Sequence, residues 1–259
     1  MRTMTAPTPE QLHANYVHAL HRIARLGPEG EAERVGPLLC INAGIGVSKF
    51  NIAVVLEPVA DPRRALRDAM EWYAIRGLNP RLDLRGKADG PLLAASMLEG
   101  FRFWWREPVM ALHPLPASFG TAEELEIREA RTPEDLDLYC RADLEEYGDQ
   151  EFQLAMVSMA AGMSGVSMHL GLRDGQPVAR SMGVVHAGLV GVHNVYVPPS
   201  SRGRGYGAVL TAAAIDSGRA MGATAACLQA TELGFPVYQK MGFRRVDDYV
   251  VVGRDEPPN

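Results

Sequence analysis

Residues 192–208, VHNVYVPPSSRGRGYGA, join an apolar strand to a predicted helix through two prolines, two arginines and three glycines. Gly203, Gly205 and Gly207 let the backbone turn sharply and approach a ligand with no Cβ in the way, so that successive N–H groups converge on an anion. The helix predicted over VLTAAAIDSGRAMG aims the positive end of its dipole at the same place. Arg202 and Arg204 add forked donors of fixed charge. The chemistry predicted here is the binding of a pyrophosphate.

Three kinds of anion loop could contain such a stretch. A Walker loop is excluded because no Lys-Ser or Lys-Thr follows the glycines. Gly203-x-Gly205-x-x-Ala208 satisfies a dinucleotide fingerprint, but Pro198 to Arg202 separate its first glycine from the strand, and Glu232 lies beyond the roughly 20-residue spacing of a ribose contact. Arg202-Gly203-Arg204-Gly205-Tyr206-Gly207 resembles the coenzyme A loop of the GNAT superfamily of N-acetyltransferases, Gln/Arg-x-x-Gly-x-Gly/Ala. Members of that superfamily also place a tyrosine four residues before a Gly-Phe pair, and Tyr238 stands four before Gly242-Phe243. The two motifs, in this order, carry the resemblance over about residues 125 to 252.

The resemblance implies acetyl-CoA as co-substrate, an amine acceptor and no metal. It assigns the backbone of Val195, Tyr196 and Val197 to the pantetheine arm and the thioester carbonyl. Arg202, Gly203, Arg204, Gly205, Tyr206, Gly207 and Ala208 fall to the pyrophosphate, and Gln229 is a further coenzyme contact. Tyr238 becomes the general acid, since a phenol with a reference pKa of about 10 stays protonated at neutral pH. Each assignment has a structural rival: Tyr238 as a core residue with a wet tip, Tyr206 as packing over the loop, Gln229 as a surface residue. No general base is assigned, because the strand Val192-His193-Asn194-Val195 has no carboxylate; His186, His193, Glu145 and Glu146 are candidates. A non-catalytic acyl-CoA binding or regulatory module is the alternative to an enzyme.

The fold class expected is α+β: a central, mostly antiparallel sheet with one parallel pair near the ligand, flanked by helices. The little-patterned stretch 113–124 divides the chain into residues 1–120 and 121–259. In the second domain, strands over 125–130, 166–172, 178–186 and 190–197 surround helices over 133–148 and 150–163, with Thr132 as N-cap and Pro133 at the first helical position. The coenzyme helix, a strand over 224–230, a short segment bearing Tyr238 and a last strand follow. The first domain offers helices over 9–26, 62–76 and 91–99 and strands over 50–56 and 80–85, followed by FRFWWREPVMAL (101–112). Gly100-Phe101-Arg102 there parallels Gly242-Phe243-Arg244, while EPVADPRRALRDAM supplies no glycine at the phosphate position. This half reads as a degenerate GNAT-like domain without coenzyme, or as an unrelated α/β domain.

Composition sets the remaining bounds. The chain of 259 residues is 47% hydrophobic, enough for one large or two small cores. Cys40, Cys140 and Cys227 are too scattered for a disulfide framework or a metal site. The N-terminus shows no apolar signal region and no apolar run approaches the roughly 20 residues of a membrane span, so a cytoplasmic protein without a membrane partner is expected. A net charge of −5 with no basic stripe disfavours nucleic acid. Residues 1–120 carry 14 Lys+Arg against 12 Asp+Glu, residues 121–259 carry 12 against 19, and between Glu123 and Glu151 twelve acidic residues face three arginines. That surplus reads either as attraction for a cationic acceptor or as the solvated faces of two helices.

Overall fold

Thr8 and Gln11 begin the first helix by a reciprocal cap: the Thr8 N–H donates to Gln11 Oε1 at 2.9 Å and the Gln11 N–H to Thr8 Oγ1 at 3.4 Å. Pro9 then occupies the first helical position of α1 (Pro9–Ile23). Asp61 caps α2 (Pro62–Ile75) by accepting from the Arg64 N–H at 3.0 Å. Thr132 caps α4 (Pro133–Arg141), where the Asp135 N–H donates to Thr132 Oγ1 at 3.2 Å and the Asp135 carboxylate accepts from the Thr132 N–H at 3.2 Å. This is the expected N-cap, with Asp135 closing it. Hydrogen bonds from Thr132 and Arg128 outweigh the opposing effect of burial and hold the Asp135 carboxyl below its ordinary range.

The remaining elements of this computed structural model are β1 (Glu31–Val35), β2 (Leu38–Asn42), β3 (Ile52–Val55), β4 (Arg81–Arg85), α3 (Gly90–Leu98), β5 (Arg102–Leu112) and β6 (Glu126–Glu129). After α4 come β7 (Val166–Arg173), β8 (Gln176–His186), β9 (Leu189–Tyr196), α5 (Tyr206–Ala220), β10 (Ala225–Gln229), α6 (Phe235–Lys240) and β11 (Arg244–Gly253). The structure describes residues 6–24, 30–42, 44, 50–141, 160 and 162–255. Most of the expected helix over 150–163, and the end of the one over 133–148, lie outside these. No helix among the described residues is long and apolar enough to cross a membrane.

The chain divides into two compact units, Met1–Ala19 with Val109–Val246 and Leu20–Pro108 with Asp247–Asn259. They therefore differ from a sequential split at residue 120: the start of α1 and the end of β5 belong with the C-terminal half, and most of β11 belongs with the N-terminal half. In the first unit β6, β7, β8 and β9 pair antiparallel in succession, β9 pairs parallel to β10, and β10 pairs antiparallel to Val109–Leu112 of β5. Helix α5 covers one face: Ser181 Oγ donates to the Leu210 carbonyl at 2.7 Å, and Gly218 lets the helix lie against Val190, which a Cβ would approach to 2.5 Å. Arg180, the next residue along β8, points to the opposite face and donates to the Tyr139 carbonyl of α4 at 3.2 Å.

The second unit repeats this pattern. β1, β2 and β3 pair antiparallel, β3 pairs parallel to β4, and β4 pairs antiparallel to Tyr249–Gly253 of β11. Helices α2 and α3 bury Leu66, Ala69, Tyr73 and Leu92 with Leu82, Leu84, Val250 and Val252. Each parallel pair is thus flanked by a strand contributed from the other half of the sequence. The mixed α+β class expected, with its parallel pair beside α5, is the architecture observed.

Candidate functional site

The parallel ladder between β9 and β10 runs from Leu189↔Ala225 to Gly191↔Cys227 and stops there, although β9 continues to Tyr196 and β10 to Gln229. On its other side β9 carries a bulge: Met182 pairs with His193 and Arg180 with Tyr196, so Asn194 and Val195 oppose Ser181 alone. Asn194 adopts the left-handed region at φ 51°, which asparagine tolerates better than most residues. The bulge lies beyond Gly191, the last β9 residue paired with β10, and Val195 and Val197 face the start of α5. The two strands therefore open a wedge whose β9 wall is main chain. Gln229, half-buried, ends the β10 wall and pairs with Val109.

From this wedge the chain passes through a short 3-10 turn (Pro199–Ser201) into the glycine loop. Arg202 Nε donates to the Val197 carbonyl at 3.0 Å, tying the loop across its own base. Gly203 and Gly205 adopt φ 78° and 81°, with open space where a Cβ would stand. Gly205 is the N-cap of α5 and supplies no side chain to it. In contrast to α1, α2 and α4, no side chain caps the start of this helix. A Cβ at Gly207 would lie 3.8 Å from Val197 and 4.0 Å from Val195, so this position faces the strand end. Arg204 is exposed at the loop. The Tyr206 side chain is 1% exposed and packs with Leu125, Val209 and Leu210, and the Ala208 N–H behind it donates to the Gly205 carbonyl at 3.0 Å.

Tyr238 lies in α6. Gly234 precedes it closely enough that a Cβ there would stand 2.8 Å from the phenol ring. Gly242, at φ 97°, ends the helix, and the Phe243 N–H returns to the Tyr238 carbonyl at 3.0 Å. The Phe243 ring meets the phenol edge-on at 5.8 Å, so the Gly-Phe pair holds the tyrosine in place from behind. Tyr238 packs with Val192, Val195 and Leu228, residues on either side of the wedge. Burial pushes its hydroxyl up to about 12, while a hydrogen bond with Thr211 pulls the other way. Thr211 and Asn194 were not singled out in the sequence. A threonine inside an apolar helix carries no distinguishing pattern, whereas an asparagine between strand residues is a readable hint of a left-handed bulge.

The other candidates separate. His193 lies on the face of β9 opposite α5, with its Nε2 sealed from solvent beside Asn15 and Gly191. Burial lowers its pKa to about 4. Asn15 itself donates to the Leu189 carbonyl at 3.2 Å and accepts from Cys227 Sγ at 3.6 Å. His186 stacks on His18 with ring centroids 4.1 Å apart, away from the wedge. Glu145 and Glu146 lie outside the described residues. Described carboxylates of the acidic stretch are engaged locally: Glu126 and Asp135 with Arg128, Glu129 with Arg131, Asp137 with Arg141. Among the described residues no group of His, Cys, Asp and Glu could hold a metal ion.

The second unit has a similar helix end and a differently capped helix start. The Phe101 N–H bonds the Ser96 carbonyl at 3.0 Å, as Phe243 does Tyr238, and Gly100 matches Gly242 in its positive φ of 86°. Ser96 therefore occupies the position of Tyr238. At the start of α2 the carboxylate of Asp61 takes the place of the uncapped glycine, which satisfies an N–H and repels an anion.

A family model described as "Probable histone acetyltransferase Rv0428c C-terminal" matches residues 23–250. Among solved structures, a GCN5-related N-acetyltransferase from Kribbella flavida is similar at a TM-score of 0.72 and 20% identity over 93% of each chain. Another from Sphaerobacter thermophilus gives 0.62 and 17% over 97% of this chain and 95% of that one. A tandem GNAT protein from the clavulanic acid biosynthesis pathway gives 0.60 and 15% over 96% of each. No curated protein matches by sequence. The fold is that of the GCN5-related N-acetyltransferases.

Proposed function

The chain belongs to the family described as probable histone acetyltransferase Rv0428c C-terminal, and from that premise we propose that it transfers the acetyl group of acetyl-CoA to an amine by direct attack. The observation that carries the reading is the conjunction, in one compact unit, of an uncapped helix start behind a glycine loop, a strand pair that parts beside it, and a tyrosine packed against that parting. The N–H groups at the start of α5, with Arg202 and Arg204, hold the pyrophosphate. The bulged end of β9, from Val195 to Val197, offers main-chain groups to the pantetheine amides and to the thioester oxygen on which charge develops. Tyr238 protonates the departing thiolate. Its raised pKa keeps it protonated throughout the physiological range, so the donor is present whenever the substrate is. In the non-catalytic alternative Tyr238 is a core residue packed with Phe243.

The acceptor is proposed to be cationic, such as a lysine side chain of a basic peptide. The family's description and the acidic surplus of residues 121–259 both support this. The N-terminal unit is proposed to be a GNAT-like half that has lost its coenzyme site. Its repeated strand pattern supports common descent, and Asp61 and Ser96 support the loss. Thiol release from acetyl-CoA over a panel of lysine-rich peptides, polyamines and aminoglycosides tests the function. Turnover with a cationic amine is expected. Tight acetyl-CoA binding without turnover on any amine would leave the binding module as the function.

A further inference from the structure

Asn15 stands in the buried stripe of α1, between Leu12 and Ala19 at helical spacing, where an apolar side chain is the rule. An amide is stable there only when its polar groups are bonded, and here each of them is bonded to the sheet. Nδ2 donates to the Leu189 carbonyl at 3.2 Å and to the Val184 carbonyl at 3.4 Å, while Oδ1 accepts from Cys227 Sγ at 3.6 Å. Carbonyls only accept, so this orientation of the amide is the one that serves all three partners. One side chain thereby ties β8, β9 and β10 together. These contacts meet at a single rung. Gly191 pairs with Val184 on one side and with Cys227 on the other, and the Gly191–Cys227 rung is the last before β9 and β10 part. A Cβ on Gly191 would collide with Asn15 Oδ1, so the amide lies directly on the main chain of that rung, in space that only a glycine leaves open.

We propose that Asn15 is a positioning residue for the coenzyme: it pins the last rung of the β9–β10 ladder and so sets where the two strands part to admit the pantetheine arm. The inference rests on the acetyl-transfer reading above. The bond from Cys227 holds β10 to α1, and the bond to Leu189 holds β9 to the same helix. Neither strand can slide, fray or re-pair beyond Gly191 without breaking one of them. The N-terminal helix, remote in sequence from the glycine loop, is on this account part of the support of the coenzyme site although its amide touches no coenzyme.

The test uses the full chain with Asn15→Ala, Cys227→Ala and Cys227→Ser, and acetyl-CoA as the probe. Alanine at position 15 keeps the helix and removes the amide; serine at position 227 keeps a donor for Oδ1, and alanine removes it. Asn15→Ala is expected to raise the acetyl-CoA dissociation constant by calorimetry roughly tenfold, as for loss of more than one hydrogen bond, with kcat at saturating acetyl-CoA within about twofold of wild type. A role in folding alone would lower the melting temperature and leave the affinity of the folded protein unmoved. Cys227→Ala should raise the constant about threefold, Cys227→Ser should restore it, and in the Asn15→Ala background Cys227→Ala should add nothing because its partner is gone. An unchanged affinity in folded Asn15→Ala, or an equal effect of Cys227→Ala in both backgrounds, would overturn the proposal. Should Asn15→Ala not fold, the Cys227 variants decide, and equal affinity in the two overturns it. If wild type bound no acetyl-CoA, the function reading would fail separately, and the pinning would be read from hydrogen exchange. Asn15→Ala must then speed exchange over residues 189–193 and 225–229 more than over 166–173 of the same sheet; a uniform or absent change overturns the pinning.

Discussion

Gly207 lies where the end of β9 meets the start of α5. It faces Val195 and Val197 at distances that admit a Cβ and little more, so a branched side chain there fills the gap between strand end and helix start. Gly207→Val is expected to raise the acetyl-CoA dissociation constant more than a hundredfold while the circular dichroism stays native. Normal affinity by calorimetry in that variant would remove the loop from the site. Arg202→Ala should do less. Its Nε is spent on the Val197 carbonyl and the residue is exposed, so the loss should not exceed the roughly 1.5 to 3 kcal/mol of one charge-assisted hydrogen bond.

Two strands of the first unit carry histidines shielded from solvent: His169 on β7 is buried, and His193 on β9 is half-buried with its Nε2 sealed. His193 on β9 and His169 on β7 are both lowered by burial from 6.5 to about 4. The folded state therefore binds protons less readily than the unfolded chain. Stability is full above the unfolded value of 6.5 and is lost as pH falls toward 4. Each should remove on the order of 2 kcal/mol between neutral pH and about pH 5, measured by denaturant unfolding, and His169→Gln should flatten that slope. A slope unaffected by the substitution would mean that the ring is already charged in the fold. What was readable from sequence at this scale followed local chemistry. Thr132 and Pro133 announced α4, and the glycine loop announced the open start of α5. The hairpin β1–β2 went unseen, because EAERV presents charged and exposed positions where alternation should be and a Gly-Pro pair interrupts the run into LLCIN. The bulge at Asn194 went unseen because it is defined by a partner strand, through the register shift opposite Ser181.

At the scale of the whole molecule, the order of residues misleads about where a unit ends. A boundary near residue 120 looked natural because 113–124 has little pattern, yet β10 takes its antiparallel neighbour from Val109–Leu112, and Asn15 of α1 bonds the main chain of β8 and β9. A fragment of residues 121–259 is expected to expose the edge of β10 and to aggregate or bind no acetyl-CoA. A soluble fragment with the affinity of the full chain would show the borrowed strand to be dispensable. One acetyl-CoA per full chain is expected, since Asp61 caps the start of α2 in the other unit.

Acetyl-CoA turnover and binding in Tyr238→Phe, compared with wild type on the best amine acceptor, test Tyr238 as the proton donor most directly. Unchanged acetyl-CoA affinity is expected, with a turnover number lower by roughly 10² to 10⁴, the range for removal of a general acid. An unchanged turnover number would contradict it and return Tyr238 to the core as a packing residue.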